Sequence, residues 1–245
     1  MSIIRFILFC IFCFPILANA DFIEGDAGHS SRDLRIPEPL LFDLVRPLGT
    51  KKGELEINTL AQKSSTSGAI NWASEIEYAI ADNLAIEFEL PAENSTFTDY
   101  KIAMQGTIES SRPHNMIHGW QVLSVKNRNS KKYSADALYI NGFRLSDAWS
   151  TLNMIGVRRS EFGSNGKNIY LLNNSIFYDA SRRTTVGIEI NSEIHPNGHW
   201  KYRVTPQLHY DFTKKMTLQS GFGISKLNER KKHENIFSLR LIYAF

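Results

Sequence analysis

The feature that most constrains this chain is strict side-chain alternation along strand-length segments. Phe237, Leu239, Leu241, Tyr243 and Phe245 share one face of a strand, and Ile236, Ser238, Arg240, Ile242 and Ala244 share the other. Trp200, Tyr202, Val204, Leu208, Tyr210 and Phe212 oppose Lys201, Arg203, Thr205, Gln207, His209 and Asp211 in the same way. Ile70, Trp72, Ile76, Tyr78 and Ile80 oppose Asn71, Ala73, Glu75 and Glu77, and Leu84, Ile86, Phe88 and Leu90 oppose Ala85, Glu87 and Glu89. A period of two belongs to β-strands. Backbone polarity must be satisfied internally in hydrocarbon, and charged side chains are costly there, so the aromatic and aliphatic faces are read as lipid-facing and the charged faces as lining a lumen.

From Lys51 onward such runs are separated by turn clusters. They fall at Gly53–Lys63, Ala69–Ile80, Leu84–Leu90, Phe97–Glu109, Asn115–Lys126, Tyr133–Leu145, Ala148–Arg159, Lys167–Asp179, Arg182–Glu193, His199–Phe212, Lys215–Leu227 and His233–Phe245. All but the seven-residue Leu84–Leu90 are long enough for a tilted strand to cross the hydrocarbon, which takes about 9–11 residues. The count is twelve, or ten if a break is misplaced; single-chain bacterial barrels use even numbers. Connections after even strands are mostly tight, as periplasmic turns are, and those after odd strands are longer and polar, as external loops are. Aromatic residues collect near strand ends (Trp72, Tyr78, Trp149, Trp200, Tyr210, Phe212, Tyr243, Phe245), where interfacial girdles belong. The fifth and eighth strands alternate poorly and leave their faces unassigned. Pro206, inside the tenth, removes a ladder donor and predicts a bulge.

The N-terminus points to export. Arg5 precedes an apolar run from Phe6 to Leu17, and Ala18-Asn19-Ala20 forms a cleavage site before Asp21, so residues 1–20 read as a secretory signal peptide. Both cysteines, Cys10 and Cys13, lie in that leader, so the exported chain carries no thiol, and neither sits in a lipid-anchor motif. Residues 21–50 lack alternation, and Pro37, Pro39 and Pro47 oppose a long helix. They read as an N-terminal periplasmic arm or a partial plug, ahead of a barrel spanning 51–245. The net charge of +3, with both signs interspersed, does not argue for nucleic acid. Mildly negative mean hydropathy fits a soluble β-rich domain and a lipid-facing barrel equally, and periodicity separates them: a sandwich has polar outer faces.

The last strand, with its apolar face and aromatic final residue, resembles the closing strand of bacterial outer-membrane barrels. The resemblance implies that Phe245 is the assembly signal read by the barrel-assembly machinery. Pro47-Leu48-Gly49 and Lys52-Gly53-Glu54-Leu55-Glu56, followed by the hairpin from Glu75 to Pro91, resemble the opening of the MetA-pathway-of-phenol-degradation family of outer-membrane transporters. That resemblance covers about the first three strands and the terminal Tyr-x-Phe. The family's Gly-rich strand after the third is missing between Phe97 and Ser110.

On the inner wall the charges segregate. Glu54, Glu56, Glu75, Glu77, Glu87 and Glu89 lie on the first three strands, Lys101 on the fourth, and Lys201, Arg203, His209 and Arg240 on the tenth and twelfth. The first and twelfth strands are neighbours in a closed barrel, so acids and bases face one another across a narrow interior. One reading is a polarised constriction that orients a permeating solute; the other is an ion-pair network that fills and blocks the barrel.

Enzyme readings are weaker. Ser164-Asn165-Gly166 resembles a segment of outer-membrane phospholipase A, but Phe162 stands where that family has its catalytic histidine, and without a base the serine is not activated. His209 and Asp211 share a face and read as a lumen polar pair before a hydrolytic dyad. The histidines show no metal-ligand spacing, and no cofactor motif is present. The chain is therefore expected to be an exported outer-membrane β-barrel in contact with lipid: a passive channel for small solutes, aromatic or apolar ones included. The alternatives are a sealed structural or surface-interaction barrel and, last, a lipid hydrolase.

Overall fold

In the computed structural model the chain is described at residues 34, 36–42, 44–108, 115–226 and 233–245. The expected leader and its cleavage site lie outside them, as do the expected breaks at 110–114 and 228–232. The strands are β1 (Leu55–Ser64), β2 (Ile70–Ala81), β3 (Leu84–Glu93), β4 (Thr96–Phe97), β5 (Asp99–Ile108), β6 (Met116–Asn127), β7 (Tyr133–Arg144), β8 (Trp149–Arg159), β9 (Asn168–Ser181), β10 (Thr184–Ile194), β11 (Trp200–Asp211), β12 (Met216–Lys226) and β13 (Glu234–Ala244). Among the described residues none is helical. Every long strand pairs antiparallel with its sequence neighbours, and β1 pairs with both β2 and β13, with Ile57 opposite Ile76 on one side and Tyr243 on the other. Setting aside the two-residue β4, twelve strands close on themselves. Closure removes the open edges that a lipid-embedded sheet cannot leave unpaired.

Alternation decides which side chain goes where. Ile76, Phe88, Ile102, Ile155, Tyr170, Trp200, Phe222 and Leu241 are exposed on the outer face. The intervening Glu75, Glu77, Glu87, Gln105, Gln121, Glu189, Gln207 and Arg240 are buried on the inner one. A soluble sandwich reverses this distribution.

Two local expectations change. The stretch from Pro91 to Thr96 was expected to be loop; instead β3 continues through Pro91 to Glu93 and folds back onto β4 at Ala92–Phe97. The β3–β5 ladder ends at Glu89, so Pro91 sits where no donor is required on that side. Pro206 does not make a bulge. It keeps register with Ile188 on β10, and the β11–β12 ladder skips Thr205 and Pro206 while preserving its register on either side. A proline can be absorbed by one missing rung without inserting a residue.

The described residues of 34–50 lie inside the wall. Leu40, Leu44 and Val45 are buried, and their contacts are with inward-facing residues of strands on several sides of the barrel. The segment leaves over the tight-turn rim, where Asn83 N donates to Thr50 O at 2.8 Å and Gly53 N to Ala79 O at 2.9 Å. Gly49 and Gly53, at φ of 89° and 92°, supply the left-handed conformations that reverse the chain into β1.

Candidate functional site

The lumen contains three kinds of wall. The first is acidic. Glu56, Asn58, Glu75, Glu77, Glu87 and Glu89 project inward from β1–β3 and are buried. Arg46 of the internal segment inserts among them. Its guanidinium pairs with Glu56, lies 3.3 Å from Glu54 Oε2 and 3.9 Å from Glu77 Oε2, and is itself 7% exposed. Thr50 Oγ1 donates to Glu54 at 2.6 Å, and Asn58 Nδ2 to Glu77 at 2.8 Å. Farther along, Lys101 on β5 reaches Glu87 at 2.9 Å and also pairs with Glu89. Glu75, Glu77 and Glu87 bring carboxylate oxygens within 4.8 Å of one another, a donor set able to hold a cation. Here the chain supplies cations of its own beside it, Arg46 and Lys101.

The second wall is apolar. Leu138 and Ile140 of β7, Leu152 and Met154 of β8, and Ile169, Leu171 and Phe177 of β9 face inward and pack with Ile36 and Leu44 of the internal segment. This explains why two strands were unreadable. On β9 both faces are apolar, because Tyr170, Leu172, Ile176 and Tyr178 face out while Ile169, Leu171 and Phe177 face in. On β6, Ile117 joins this cluster and Leu123 packs near Val45.

The third wall reads main chain. Gln207 Oε1 accepts Leu40 N–H at 2.9 Å, and both oxygens of Glu189 accept the consecutive N–H groups of Leu41 and Phe42 at 3.0 and 2.9 Å. Gln105 accepts Val45 N–H at 3.1 Å and donates to the Arg46 carbonyl. Gln219 donates to Glu38 O and Arg240 to Pro39 O, each at 3.3 Å. Space is reserved as well. A Cβ added to Gly221 would stand 2.5 Å from Leu40 Cδ2, one on Gly119 2.5 Å from Leu48 Cδ2, and one on Gly142 3.0 Å from Ile36 Cγ1.

The anticipated lumen residues distribute as follows. Glu56, Glu75, Glu77, Glu87, Glu89, His209 and Arg240 are buried inside, while Glu54, Lys201 and Arg203 are half-buried. Arg46 and Lys101 pair with these acids from the internal segment and β5, and the Arg240 charge on β13 also acts on Glu56. His209 bonds Gln207 at 2.9 Å and lies 5.7 Å from the Phe177 ring, while Asp211 accepts from Thr217 Oγ1 at 2.6 Å. Ser164 is exposed in the β8–β9 loop beside an exposed Phe162. Alternation did not single out Arg46 or Glu189. It also missed Arg158, which forks onto Asp136 at 2.8 to 3.1 Å and reaches Glu193 at 2.6 Å near the loop end. A cavity of about 310 Å³ lined by Leu60, Gln62, Asn71, Ala73 and Thr98 lies toward the loop end of β1 and β2.

The HAEPLYID-like family model matches residues 33–154. A search of curated proteins finds no match. Among solved structures, the NanC porin is similar with a TM-score of 0.64 at 12% identity, over 76% of this chain and 98% of that one. The KdgM porin gives 0.61 at 10%, over 78% and 99%, and has also been solved with disordered oligogalacturonate. An outer membrane channel from Pseudomonas putida F1 gives 0.58 at 16%, over 80% and 97%. At these identities the likeness establishes the fold, which is that of outer-membrane porins.

Proposed function

We propose that this barrel is a small-solute channel of the bacterial outer membrane, closed by the described residues of its own 34–50 segment. The observation that carries the reading is how the filling is attached. Among the described residues it is held by hydrogen bonds, mostly from side chains, by an ion-pair cluster and by apolar contacts, and it continues covalently into the wall at β1. A lumen filled in this way can be emptied without unmaking the sheet, whereas one filled by wall side chains alone cannot. The apolar outer faces, the leader-like sequence of residues 1–20 and the aromatic Phe245 support the location and the route through the barrel-assembly machinery. Kinship with the MetA-pathway-of-phenol-degradation transporters belongs to the same proposal. It is supported by the sequence of the opening at Pro47–Glu56 and of the β2–β3 hairpin.

The two facing walls favour solutes with an apolar portion and a cationic one: Leu138, Met154 and Phe177 on one side, Glu56, Glu77 and Glu87 on the other. A polyanion such as the oligogalacturonate solved with the KdgM porin fits the glutamate-rich sector poorly. An enzymatic role is not favoured, since Ser164 has Phe162 in the place of a base. The competing reading is a permanently sealed structural barrel, and the dense packing of Leu40, Leu44, Glu189 and Arg240 favours it. Planar-bilayer recording of the wild-type chain and of Arg46→Gln decides between them. The channel reading expects brief openings that become frequent in the variant. Silence from a folded Arg46→Gln barrel at every voltage leaves the sealed barrel.

A further inference from the structure

We propose that the tight-turn half of the lumen is a binding site for a bent peptide carrying a basic residue, and that the described residues of 38–46 occupy it as an internal ligand. The proposal rests on the channel reading only for the route by which such a peptide arrives.

Gln219, Arg240, Gln207, Glu189 and Gln105 bind the Glu38 and Pro39 carbonyls, the Leu40, Leu41, Phe42 and Val45 amides, and the Arg46 carbonyl. These are backbone groups, which every peptide carries. Gln105 pairs both polarities of the chain at once, through its oxygen to Val45 N–H and its nitrogen to the Arg46 carbonyl. Glu189, fully buried, divides its two oxygens between consecutive amides. A barrel filled by apolar side chains would need no inward carboxamides or buried carboxylate; here they pair main-chain groups that an apolar wall would leave unsatisfied. The same groups suit a main chain that is held and released, because a hydrogen-bonding wall stays solvated when the segment leaves.

Beyond the backbone track stands a side-chain subsite. Glu54, Glu56 and Glu77 surround one guanidinium, a planar donor that matches carboxylates in a fork. Gly221 and Gly142 open space in the wall for Leu40 and Ile36, and the apolar sector receives Leu44. The site therefore reads main chain, apolar side chains and one terminal cation along a stretch that bends at Leu40–Phe42 and at Val45–Arg46.

The test uses the full-length protein in detergent, with the internal ligand weakened in two independent ways, Arg46→Gln and Leu40→Ser. Heat-modifiable gel mobility confirms that each is folded. The probe is a fluorescein-labelled peptide of the sequence of residues 38–46, followed by anisotropy. One control peptide is N-methylated at the positions of Leu41, Phe42 and Val45, and another carries citrulline for arginine. The parent peptide is expected to bind both variants, and each control to bind at least about tenfold more weakly, as loss of hydrogen bonds to buried or charged groups implies. Equal binding of parent and controls, or no binding to either folded variant, overturns the proposal. Planar-bilayer current on the same proteins reports the channel separately. Open pores without selective peptide binding retain the channel and remove this site; selective binding without current retains the site and removes the channel.

Discussion

At the scale of single residues, Arg46 is the joint between filling and wall. Removing one partner of a buried ion pair leaves the other charges uncompensated, a cost of about 3–5 kcal/mol in comparable cases. Arg46→Gln is therefore expected to weaken retention of the internal segment while leaving the twelve-strand ladder intact. Hydrogen exchange checks this: the Leu40, Leu41, Phe42 and Val45 amides, bonded in the wild type, should lose protection, while strand amides such as those of β8 and β9 keep theirs. Gly221→Val tests the same contact from the wall. Its Cβ would fall 2.5 Å from Leu40 Cδ2 and 2.7 Å from Thr205 Cγ2 of the wall, so the Leu40 amide should exchange faster, without any change of charge, while the β11 amides report whether the wall itself shifts. If those amides stay as protected as before in both variants, Arg46 and Leu40 do not hold the segment in place.

At the scale of elements, the strands follow from alternation and the lipid solvent. Ile155 on β8 is 60% exposed on the outer face, opposite Leu172 of β9 and Tyr139 of β7. Ile155→Arg is expected to cost about 2–4 kcal/mol in urea titrations from lipid vesicles, the range for a cation facing the bilayer midplane; a neutral result would mean that this face meets water. Deleting Phe245 is expected to lower the yield of inserted barrel while leaving expression unchanged, as cell fractionation would report; normal insertion would remove its role as a signal. The strand count and most strand positions were legible because glutamates, lysines and tryptophans cannot exchange faces without cost. The faces of β9 were not legible, because Ile169, Leu171 and Phe177 are apolar for a reason outside the strand: they pack on Ile36 and Leu44. The acidic ladder was legible as inward-facing, but its partner Arg46 was not. A lone arginine between Val45 and Pro47 carries no periodic signal, and only the fold brings it to Glu56.

At the scale of the whole molecule, the chain forms a closed sheet with an apolar outer surface, and the described residues of 34–50 lie inside it between an acidic and an apolar wall. The fold comes from pairing that leaves no edge. A heated sample in detergent is expected to migrate differently from an unheated one, since a closed barrel resists detergent until boiled. The most direct test places the protein in vesicles whose acyl chains carry bromine near the headgroup and follows fluorescence of Trp72, Trp149 and Trp200, which are 38%, 44% and 57% exposed on the outer face. The account predicts strong quenching by the brominated lipid and little by aqueous iodide; quenching by iodide alone, with the lipid without effect, would contradict it.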